Sequence, residues 1–91
     1  MPMPEQEETL LEFPCTFPIK VMGKAGNGFE QLVLDIVRRH SPDLDEASVK
    51  VRESRGGKWI SVTVTIEAEG KDQLDAIYRE LSGHERVVWA L

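Results

Sequence analysis

The sequence predicts an α+β domain in which one four-stranded antiparallel sheet carries two helices on a single face. Three observations lead there. Residues Lys58 to Ala68 alternate apolar and polar side chains, the period of a half-buried strand. The segments Phe29–Val37 and Leu74–Leu81 instead repeat apolar residues at helical spacing. The elements follow the order β-α-β-β-α-β, whose simplest packing is the ferredoxin-like split βαβ sandwich.

Met1 to Glu12 holds two prolines and four glutamates without periodicity. It reads as an acidic flexible tail ahead of a single domain spanning residues 13–91. The first strand is placed at Ile19–Lys24, because Pro18 cannot donate to a ladder and suits a strand start better than a strand centre. Phe17, Ile19 and Val21 then face the core, and Lys20 and Met22 the open side. The turn Gly23-Lys24-Ala25-Gly26-Asn27-Gly28 feeds the first helix, with Asn27 as N-cap and Glu30 as its reciprocal partner. Phe29, Leu32, Val33, Ile36 and Val37 make the buried stripe. Arg38, Arg39 and His40 suit the carbonyl end, and Ser41-Pro42 stops the helix.

A second strand follows near Ser48–Glu53, with Val49 and Val51 inward, and Gly56-Gly57 signals the hairpin to the long third strand. There Ile60, Val62, Val64, Ile66 and Ala68 share the core face, while Trp59, Ser61, Thr63, Thr65 and Glu67 share the other. The second helix covers Gly70–Ser82, with Leu74, Ile77, Tyr78 and Leu81 as its stripe and Gly83 as its stop. Arg86–Leu91 closes the chain as a short apolar strand. In this topology the first and third strands are central. Charge defends the second strand as an edge (Lys50, Arg52, Glu53), whereas Val87-Val88-Trp89-Ala90-Leu91 is nearly undefended and invites pairing, with a homodimer as one outcome.

Composition narrows the function classes. The formal net charge is −5 over 91 residues, and Glu5, Glu7, Glu8 and Glu12 supply most of it. Without those four, twelve acids face eleven bases. A nearly neutral domain lacks the broad basic field of nucleic-acid binders, so no nucleic-acid partner is expected. The single cysteine, Cys15, excludes an intrachain disulfide framework and a Cys-based metal site, and reads as a small buried hydrophobe. No signal-type or spanning apolar stretch is present, so a cytoplasmic protein without membrane attachment is expected.

Several stretches resemble the YbeD family, small bacterial proteins of unknown function of the UPF0250 type. They are L-L-E-F-P-C at Leu10–Cys15, K-V-M-G at Lys20–Gly23, R-H at Arg39-His40, and G-K-W-I-S-V-T-V-T-I at Gly57–Ile66. Tyr78-Arg79-Glu80-Leu81 and Val87-Val88-Trp89-Ala90-Leu91 fit as well. The resemblance implies a fold similar to the ACT small-molecule-sensing domains, a regulatory role, and a gene-neighbourhood link to lipoate metabolism.

Two candidate sites follow. In ACT-like domains the loop between first strand and first helix approaches a small anion, which makes Lys24, Gly26, Asn27 and Gly28 the candidate ligand residues; a helix start favours an anion by roughly 0.3–1 kcal/mol. The plain alternative is a loop that needs glycine for its backbone angles. On the open sheet face and fourth strand, Trp59, Arg52, Lys20 and Trp89 form a candidate protein-partner surface. Its plain alternative is Trp59 lying over Arg52 or Lys50 across the hairpin. An acylphosphatase-like enzyme of this topology needs an arginine in the first loop and an asparagine on the third strand. Lys24, Ser61, Thr63 and Thr65 stand there instead, so no catalytic residue is assigned. No metal ligand set is assigned either: His40 and His84 end helices, and Asp72, Asp75 and Glu80 line a solvated helix face. No cofactor is implied. The leading expectation is a non-enzymatic regulatory or adaptor domain that senses a small metabolite. The alternative is a protein-interaction module with no small ligand.

Overall fold

A computed structural model describes residues 12–26 and 28–91. The expected acidic tail, apart from Glu12, and the expected cap Asn27 lie outside the described residues. The elements are β1 (Cys15–Lys24), α1 (Phe29–His40), a 3-10 turn (Glu46–Ser48), β2 (Lys50–Glu53), β3 (Trp59–Ala68), α2 (Lys71–Ser82) and β4 (Val87–Ala90). The strands form one antiparallel sheet in the order β2-β3-β1-β4, so β1 and β3 are central. This is the ferredoxin-like sandwich expected from the element order.

The period-two strand and the two amphipathic helices meet in one core. Ile60, Val62, Val64, Ile66 and Ala68 of β3 are buried with Ile19 and Val21 of β1, Phe29, Val33, Ile36 and Val37 of α1, and Leu74, Ile77 and Leu81 of α2. Leu34, outside the anticipated stripe, is buried too. Ser48 Oγ donates to the Thr65 carbonyl, which ties the 3-10 turn to β3.

Several local expectations are corrected. β1 begins four residues before Ile19, and Pro18 lies inside it, opposite Thr65. The reason is positional. Lys20 N–H donates to the Leu91 carbonyl, so every second backbone nitrogen of β1 turns away from β3. At Pro18 that side has no described strand alongside, because β4 pairs only with Val21–Gly23 and, through Leu91, with Lys20. The missing donor therefore falls where no acceptor waits. β2 starts at Lys50, not Ser48. Val51 shares the face of Val62 by register yet remains 42% exposed, because the core ends before this edge strand. The cap position of α1 is Gly28, which has no side chain to offer. Gly83 ends α2 with an ordinary right-handed backbone (φ −81°), so no left-handed cap explains it. Glu80 is not a bystander on a wet helix face: its carboxylate accepts from Arg39 and pairs with His40 Nε2 at 2.8 Å, clasping α1 to α2. Gln73 Nε2 adds a bond to the His40 carbonyl.

Candidate functional site

With both helices on one side, no other described element covers the opposite side of the sheet, and the strand register sorts its side chains into rows. Arg52, Ser61, Met22 and Trp89 lie side by side across β2, β3, β1 and β4. Lys50, Thr63 and Lys20 form the neighbouring row on one flank, and Trp59 and Lys24 the row on the other. Small Ser61 sits low among larger neighbours and is itself buried, 8% exposed. The result is a depression of about 170 Å³ lined by Lys20, Met22, Arg52, Trp59, Ser61 and Trp89, with Glu53 and Ser54 at its hairpin end. All four residues expected to bind a partner, Trp59, Arg52, Lys20 and Trp89, therefore converge on one concavity to which every strand contributes.

Trp89 reaches this face by pairing with Met22 in regular register, and an irregularity follows on its N-terminal side. Between Met22 and Gly23 the β1–β4 register shifts, so Val87 pairs with Gly23 while Trp89 pairs with Met22. Val87 and Ala90 pack on the core, and Val88 is left 56% exposed at the rim. Trp59 is half-buried. The cation beside its ring is Lys58, 6.0 Å from the ring centroid, instead of Arg52 or Lys50.

The residues expected to bind a ligand disperse. Lys24 lines a second hollow of about 460 Å³ with Ala25, Trp59, Glu85, Arg86 and Val88. Gly28 lines a separate one with Gln31, Asp35, Arg39, His84 and Arg86. Gly26 and Gly28 both have positive φ, 98° and 71°, a backbone that favours glycine. Asn27 lies outside the described residues. Sequence reasoning missed Arg86, which divides the two hollows. Its Nη2 donates to the Gly26 carbonyl at 2.6 Å, and its guanidinium lies 5.7 Å from the Phe29 ring centroid. Its only sequence signal was position, just ahead of the last strand, which the topology returns beside the first loop.

No group of three or more His, Cys, Asp or Glu able to hold a metal ion occurs among the described residues. No helix among them is long and apolar enough to cross a membrane.

Fold and face together define a ferredoxin-like α+β domain with an uncovered, aromatic and basic sheet surface. Residues 8–91 match the family model described as a protein of unknown function, DUF493. A UPF0250 protein of Nitrosomonas europaea is 48% identical over 85 residues, covering 93% of this chain and 98% of that protein. A UPF0250 protein of Chromobacterium violaceum is 44% identical over 89 residues, covering 98% and 100%. The chain thus belongs to the UPF0250 family, the YbeD-like proteins anticipated from its motifs. The solution structure of protein HP0495 from H. pylori superposes with a TM-score of 0.67 at 17% identity, covering 89% of this chain and 85% of that one. At that identity the likeness concerns the fold.

Proposed function

We propose that this domain is a non-enzymatic, cytoplasmic adaptor or regulatory module that works by docking a protein partner on its uncovered sheet face. One observation carries the reading: Trp59, Trp89, Lys20 and Arg52 come from four different strands and line one depression. Two half-buried indoles supply large apolar area with little side-chain entropy to lose, and cations beside them fix orientation. Covering half of one tryptophan's ~200 Å² contributes roughly 2–3 kcal/mol, so two such rings supply a large part of the apolar driving force for docking. Ser61 forms the floor of the depression, and Thr63 and Thr65 lie on the same face of β3.

The test is affinity capture from cells expressing the tagged full chain, compared with the Trp59→Ala and Trp89→Ala variants. A partner captured by the wild type and lost from both variants supports the face. A partner retained by both rules it out.

A second reading, a small-metabolite sensor with the family's suggested tie to lipoate metabolism, draws on the larger hollow where Lys24, Arg86 and Trp59 meet. Thermal-shift measurements with amino acids, lipoate, octanoate and nucleotides address it. A rise in midpoint that Lys24→Ala removes favours the sensor. Unchanged midpoints with every compound exclude these ligands.

A further inference from the structure

Cations outnumber acids on the uncovered face. Lys20, Lys24, Lys50 and Arg52 all project from it by register, and all are exposed. Among the described residues none of these four cations is in an ion pair; the pairs Arg38–Glu46, Arg39–Glu80 and His40–Glu80 involve helix and loop residues instead. The whole chain nevertheless carries a formal charge of −5. Carboxylates such as Glu30, Asp35, Asp72 and Asp75 belong to the two helices. The helices themselves are nearly balanced, since Arg38, Arg39, Lys71 and Arg79 stand against Glu30, Asp35, Asp72, Asp75 and Glu80, and most of the net negative charge belongs to residues 1–12. Lys50 and Lys20 flank Thr63 from either side, with backbones about 10 Å apart at ordinary strand spacing. Like charges so placed repel, and an anion seated between them relieves that repulsion.

We propose that the partner of this face is an acidic protein segment carrying an aromatic or long apolar side chain. Its carboxylates meet Lys20, Lys24, Lys50 and Arg52, and its apolar side chain enters the depression floored by Ser61 beside Trp59 and Trp89. This partner chemistry presupposes the docking face proposed above. A short segment fits better than a long polyanion because the basic area is bounded by acids: Glu67 at the Thr16 end, Glu53 in the depression, and Glu85 in the adjoining hollow. A nucleic-acid strand presents a phosphate at every nucleotide and tracks along a continuous basic groove.

Trp59 and Trp89 are the chain's two tryptophans and both line the depression, so intrinsic fluorescence reports on its occupation. The experiment selects a random peptide library on the immobilised full chain. It then titrates the chain with the enriched peptides, their lysine-for-carboxylate counterparts and an oligothymidylate, following tryptophan emission. Enriched peptides are expected to be net acidic with an aromatic or long apolar residue. Lys20→Glu and Arg52→Glu each weaken their binding about fivefold, and raised salt weakens it further. Both side chains are exposed, and an unchanged thermal midpoint establishes that these variants fold. Enrichment of basic or uncharged peptides that still perturb the tryptophans overturns the acidic chemistry and leaves the docking face standing. Acidic peptides that bind the Trp59→Ala/Trp89→Ala double variant unchanged, measured by the anisotropy of a label on the peptide because this variant carries no tryptophan, overturn the face itself. No enrichment at all, or tighter binding of oligothymidylate than of any selected peptide, overturns the proposal as well.

Discussion

Gly23→Ala is expected to destabilise the domain by about 2 kcal/mol, although alanine usually suits a strand better than glycine. A Cβ at this position falls 2.5 Å from the Arg86 carbonyl oxygen and 2.5 and 2.6 Å from two ring carbons of Phe29. Ordinary carbon contacts are about 3.5–4.0 Å, so the overlap is close to an ångström on two sides. One obstacle is main chain, at the turn that leads into β4. The other is a ring that is 1% exposed in the centre of the core. Neither moves cheaply. Overpacking of this kind costs about 1–3 kcal/mol, and the upper half applies because backbone is involved. Against it stands a gain of about 0.4–1 kcal/mol from restricting the unfolded chain. With a urea dependence of about 1–1.5 kcal/mol per molar for a domain of this size, the unfolding midpoint falls by about 1.5 M. Gly56→Ala is the control, since nothing lies within 4 Å of its Cβ, and its midpoint stays level or rises slightly. Phe29→Leu in the Gly23→Ala background recovers part of the loss by withdrawing the ring. A Gly23→Ala protein as stable as wild type refutes the close approach of β1, α1 and the turn before β4.

Three further outcomes are expected. Ser61→Phe fills the depression from its floor, where no described element covers the sheet; thermal stability shifts little while partner capture is lost, and undiminished capture means that the depression is not where the partner sits. Glu80→Ala severs the clasp to Arg39 and His40 and costs about 1 kcal/mol, the partial exposure of these groups keeping the figure small. A double-mutant cycle with His40→Ala checks this, and zero coupling energy contradicts it. Burial holds the Tyr78 hydroxyl above its ordinary value of about 10. The folded state keeps its proton where the unfolded chain has released it. Stability linked to this group is therefore complete below pH ~10 and is lost as pH rises above that value. Tyr78→Phe should flatten the decline in urea unfolding at alkaline pH, and equal slopes in both proteins would contradict the assignment.

The sequence by itself determined which way each element faces. Strict alternation from Trp59 to Ala68 and helical spacing in Phe29–Val37 and Leu74–Leu81 are local periodicities, and burying one face of each leaves a single consistent packing. That reasoning also put Lys20, Arg52 and Trp59 on the uncovered side. Tertiary structure alone decided what depends on neighbours distant in sequence. Pro18 is tolerated inside β1 because no strand runs past it on one side, a fact of the partner strand and not of the proline. Val51 is exposed because the core stops short of an edge strand. Glu80 becomes a clasp because α1 ends beside it. Trp89 joins the other aromatic because β4 sets it opposite Met22, and Arg86 splits the first loop's surroundings because β4 returns next to β1. Periodicity is written in adjacent residues; juxtaposition is a property of the assembled sheet.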